Sequence, residues 1–183
     1  MQFEIPRPDP VRLAARIRSR EFDLVERIAA RFEMEFGFAR VPGNIELSSA
    51  DGRVERLLPL AGQYDPSEFA SLQTHARRVE SLYAEDSGEP RARIDLVYVR
   101  RSQVVLATRT EAVHRIFLGQ GVWGEVALER DPAAPSGYFL PNPWTEDSMK
   151  TEGALGFFAA IADRAEDAHG KGESPGGPEP MAL

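Results

Sequence analysis

The chain has 183 residues, 42% hydrophobic and 28% charged, proportions that exclude collagen-like, mucin-like and wholly disordered chains and leave one globular domain as the expectation. It has no cysteine, which removes disulfides, thiolate nucleophiles and Cys-based metal centres together. With 22 Lys plus Arg against 29 Asp plus Glu, the net charge of -7 disfavours a general nucleic-acid binder, which needs a basic surface.

His75, His114 and His169 are too scattered for a zinc signature, and no cofactor motif stands out. No apolar run approaches the ~20 residues of a membrane span, and MQFEIPRPDP lacks the basic start and apolar stretch of a signal peptide. A cytoplasmic protein without membrane contact is expected. Lysine occurs only as Lys150 and Lys171, so nearly every positive charge is arginine, a pattern of GC-rich bacterial coding bias.

In chain order, Asp9-Pro10 reads as an N-cap followed by proline at the first helical position. Leu13, Ile17, Leu24, Ile28, Phe32 and Phe36 then keep helical spacing up to Gly37, predicting one helix over 10–36 with a possible break at Arg20 to Phe22, where Ser19 could cap a second piece. Residues 44–60 hold two short apolar runs around Asp51-Gly52, a hairpin signal. Asp65-Pro66-Ser67-Glu68 opens a second helix that carries Phe69, Leu72, Ala76 and Val79 and runs to about Tyr83.

Residues 91–130 are rich in β-branched and aromatic side chains and predict three antiparallel strands: ARIDLVYV, QVVLATRTEAVHRIF and VWGEVALER. Asp131 to Pro143, with four prolines, reads as a loop, and Thr145 as the cap of a third helix. In that helix Gly153 and Gly156 suggest close packing. The order α-ββ-α-βββ-α describes an α+β fold: a single two-layer domain over 1–167, with an antiparallel sheet of about five strands and three helices. Residues 168–183, rich in Gly and Pro, read as a disordered tail.

Gly119, Gly121 and Gly124 spell a GxGxxG, but strand-like residues follow it, so no helix N-terminus is aimed at a pyrophosphate. The string resembles the glycine-rich hairpin of protein kinases. The Lys, the catalytic loop and the metal-binding motif that such a resemblance requires do not follow, and the segment is read as a tight hairpin. With Gly119-Gln120 as its turn, Ile116 faces Trp123, His114 faces Glu125 and Thr110 faces Glu129.

A histidine beside a carboxylate is what a general base needs, because the acid fixes the tautomer and stabilises the imidazolium. Arg109, Thr110, His114, Trp123, Glu125 and Glu129 are therefore the candidate ligand-binding residues, suited to a small anion. Tyr138, Trp144, Phe157 and Phe158 are candidate partner-binding aromatics. On the first helix, Arg12, Arg16, Arg20, Arg27 and Arg31 read as a solvated stripe.

No complete catalytic set is recognisable. The expectation is a non-enzymatic protein-binding module, an adaptor or dedicated chaperone with another protein or a second copy as partner; in general shape it resembles acidic secretion chaperones. The alternative is a small-ligand-binding protein or enzyme with its polar site around His114 and Glu125.

Overall fold

The computed structural model of the chain describes residues 8–39, 42–48, 51–131 and 138–169. It is an α+β fold built on one antiparallel sheet of eight strands rather than about five. The strands are β1 (Arg12–Ser19), β2 (Ile45–Ser48), β3 (Val54–Pro59), β4 (Ala92–Val99), β5 (Gln103–Thr108), β6 (Arg115–Gly119), β7 (Val122–Arg130) and β8 (Phe139–Pro141). The helices are α1 (Phe22–Phe36), α2 (Phe69–Ser81) and α3 (Glu152–His169). The strand order is β2-β3-β1-β4-β5-β7-β6, and β8 also pairs with β7.

Three sequence expectations change. The helix expected from 10 starts at Phe22, and residues 12–19 form an inner strand, paired with β3 on one side and β4 on the other. Leu13 and Ile17, four apart, fit a helix face, but in an extended chain they share a face with Ala15. All three are buried against α1 and α2. The long strand expected over 103–117 is split by residues 109–114, which carry the chain from one side of β7 to the other, and the proline-rich segment contributes β8.

The domain is also not two-layered. Leu13, Ala15, Ile17, Leu58, Ile94 and Leu96 pack with α1 and α2 on one face. Ala14, Leu57, Val97, Val104, Leu106 and Leu128 pack with Phe157, Phe158 and Ile161 of α3 on the other.

Local signals place several boundaries. Gly37, at φ 72°, ends α1 where a left-handed residue was expected. Ser19 Oγ accepts from the Glu21 amide just ahead of α1, and the Asp65 carboxylate accepts from the Ser67 amide at the 3-10 turn that leads into α2. Gly153 and Gly156 face open space, so close packing does not account for them. Thr145 does not cap α3; its hydroxyl donates to the Ala127 carbonyl. The tail expected over 168–183 lies outside the described residues beyond His169. Among the described residues no helix is long and apolar enough to cross a membrane.

Candidate functional site

The outer edge of the sheet begins in the β6–β7 hairpin. Gln120 and Gly121 have φ 52° and 69° between the paired residues Gly119 and Val122, which makes them the two central residues of a turn that needs positive φ at both. The turn therefore sits one residue later than expected, and a bulge at Leu118 takes back part of the shift. The pairs formed are Arg115 with Glu125, Ile116 with Gly124 and Phe117 with Trp123.

His114 nevertheless reaches Glu125. It precedes the first residue of β6, and its Nε2 lies 3.2 Å from Glu125 Oε2. The carboxylate is 2% exposed and also accepts from Arg115 Nε at 2.7 Å. Arg115 Nη1 donates to the Thr110 carbonyl at 3.0 Å and its hydroxyl at 2.6 Å. The His114 ring stacks on Trp144, centroids 4.8 Å apart at 17°, and the Trp144 indole N–H donates to the Val126 carbonyl at 3.0 Å. A buried carboxylate thus fixes an imidazole and a guanidinium at the start of β6, and the imidazole and the Val126 carbonyl hold the indole beside them.

The other expected residues divide. Trp123 packs on Phe117 next to this cluster. Glu129 pairs with Gln103 and Leu140, farther along β7. Arg109 turns to Glu80 on α2. Phe157 and Phe158, on α3, are buried against the sheet, while Tyr138 and Trp144 are exposed.

β6 and β8 both pair with β7 on the side opposite β5, so together they form the outer edge. Among the described residues eleven large hydrophobics are exposed, and seven of them lie on or beside this edge: Val113, Ile116, Phe117, Leu118, Tyr138, Leu140 and Trp144. Such concentration differs from the scattered single apolar residues of an ordinary surface. An unpaired strand edge also leaves backbone N–H and C=O groups open to another strand.

The sequence reading missed the buried charges at another place on the sheet. Arg16 and Glu55 are 0% and 1% exposed and Asp95 is 1% exposed, where a solvated helix stripe was expected for Arg16. The available signal was the alternation of Arg16 and Arg18 with Ala15 and Ile17, which suits a strand.

Residues 46–164 match the model of the family described as Domain of unknown function (DUF4416), and the chain belongs to that family. No curated protein and no solved structure matches it. The family match begins in β2 and ends within α3, leaving β1 and α1 outside it.

Proposed function

We propose that this DUF4416 protein is a non-enzymatic protein-binding module that takes an extended segment of a partner along the β6–β8 edge. The concentration of exposed apolar side chains on that edge carries the reading. Strand addition draws affinity from backbone hydrogen bonds and specificity from side chains that alternate above and below the sheet. Ile116, Phe117 and Leu118 supply the apolar contacts. Trp144, already held by His114 and the Val126 carbonyl, is pre-organised as an aromatic anchor and has little rotamer freedom left to lose on binding.

The test is site-specific photocrosslinking in the host cells, with the crosslinker at Ile116 or Tyr138 and a control at Met34, which is exposed on α1. A discrete protein adduct is expected at the edge and not at Met34. Ile116→Asp should cut the Tyr138 adduct by about tenfold with an unchanged melting temperature, since that side chain is solvent-facing. Equal adducts at Met34 and at the edge, or none at the edge, refute the reading.

The contact of His114 with the buried Glu125 favours a second reading, a small-ligand site with His114 as base. Native mass spectrometry separates the two. A small molecule that copurifies with the protein and is lost in a folded His114→Ala variant supports the second reading; retention in that variant counts against it.

A further inference from the structure

Where β1 ends and β3 and β4 begin, the sheet carries a charged cluster that the docking edge does not use. Arg18 pairs across to Glu55 and Arg93, and Arg16 to Asp95, so alternation puts all five side chains on the face that carries α3. Arg16 is wholly buried. Its Nε and Nη2 donate to the two Glu55 oxygens at 2.7 and 2.9 Å, and Nη2 also donates to Glu146 at 2.7 Å and Ser148 at 2.9 Å. Arg18 binds the buried Asp95, and Glu146 at 3.0 Å.

Three buried donors in this group are left without a hydrogen-bond partner: Arg16 Nη1, Arg18 Nε and Arg109 Nε. Two cavities of about 560 and 570 Å³ adjoin here, and both have Arg18 and Arg53 in their walls. The first gathers six guanidiniums, from Arg18, Arg20, Arg53, Arg91, Arg93 and Arg109, against four carboxylates. Two of those carboxylates are engaged, Glu21 by Arg91 and Glu80 by Arg109. Arg18 and Arg93 share the buried Asp95 and Arg53 meets Asp51, so the charges are largely paired, and what the cleft offers an anion is the buried guanidinium N–H groups that these pairs leave over.

We propose that this cleft is a binding site for a small phosphorylated molecule, with the phosphate among the arginines of the first cavity and the remainder in the second. A planar carboxylate is satisfied by one guanidinium fork, as Glu55 is by Arg16. Donors arriving from β1, β4 and the segments before β3 and after β5 approach from several directions. That arrangement suits the tetrahedral oxygens of a phosphate dianion. Each cavity has the size of an ordinary small-molecule site.

The experiment is calorimetric titration and thermal melting of the full-length protein with inorganic phosphate, pyrophosphate and citrate at matched ionic strength. Arg53 pairs with the exposed Asp51, and the buried Asp95 keeps Arg18 when Arg93 is replaced, so an Arg53→Gln, Arg93→Gln double variant should still fold, and its own melting temperature without added anions is the baseline for its response. Pyrophosphate is expected to bind the wild type and raise its melting temperature, and the double variant to bind at least about tenfold more weakly. Arg27→Gln, on α1, should leave binding unchanged. The proposal is overturned if pyrophosphate neither binds nor shifts the melt, if the double variant binds as tightly as the wild type, or if citrate binds as tightly as pyrophosphate.

Discussion

Glu146 stands where two buried or nearly buried arginines meet the surface. Burial pulls its carboxyl upward, but hydrogen bonding and charge from Arg16, with Arg18 behind, outweigh that and hold it down at about 2, against an ordinary 4.5. In the unfolded chain the group takes up its proton near 4.5, so between about 4.5 and 2 the unfolded state binds more protons and acid favours it. The stabilisation is fully present above 4.5 and is lost as pH falls through 2. The shift corresponds to about 3 kcal/mol, which solvent screening of a half-exposed side chain reduces to about 1 to 2 kcal/mol. Denaturant titrations at pH 6 and pH 3 should show wild type losing about 1 kcal/mol more stability than Glu146→Gln, the larger part of the linkage, the rest being lost only as pH falls through 2; equal losses would refute the linkage.

At the scale of elements, α2 acts as part of the sheet. β4 and β5 pair only over Val97–Val99 and Val104–Leu106, so the first half of β4 has a free side toward α2. Gln73 fills it: its Nε2 donates to the Ile94 carbonyl at 2.9 Å and its Oε1 accepts from the Leu96 amide at 2.6 Å. The Glu80 carboxylate accepts from the Ile94 amide at 2.6 Å. One side-chain amide thus does what a neighbouring strand residue would do. Gln73→Leu strands two buried backbone groups and should cost about 2 to 4 kcal/mol. Hydrogen exchange should speed up at Leu96 while Val97 to Val99, still paired to β5, stay protected. An unchanged Leu96 rate would show that β4 holds its shape without α2.

The same two elements explain what the sequence did and did not reveal. The start of α2 was legible because Asp65, Pro66 and Ser67 act within one turn, and local chemistry survives whatever packs on it. β1 was not, because the strand is covered on both faces and its alternation is confined to Ala15 to Arg18, while Leu13 with Ile17 mimics a helix stripe. The His114 and Glu125 contact lay within reach because one hairpin joins the two residues, although the turn was placed a residue early. The arginine cleft was out of reach, since its walls come from β1, β3, β4 and the end of β5, segments that only the sheet order brings together.

For the whole molecule, β1 is the strand that makes one sheet out of two. Without it, β2 and β3 have no ladder to the remaining strands, because β3 reaches β4 only through β1. The family match starts in β2, after both β1 and α1, yet residues 12–36 supply Leu13, Ile17, Leu24, Ile28 and Phe32 to the core and Arg16 to the buried pair with Glu55. Removing them would expose one core face and leave a buried carboxylate without its guanidinium, the latter alone costing about 3 to 5 kcal/mol, and the two together exceed the margin of an ordinary domain. A fragment of residues 42–169 should therefore lack a cooperative thermal transition and near-ultraviolet dichroism. A separate peptide of residues 8–39 should restore both in proportion to its concentration, as ligand-linked folding requires. A fragment that melts cooperatively by itself would mean that the matched segment is an independent folding unit and that β1 is an addition to it.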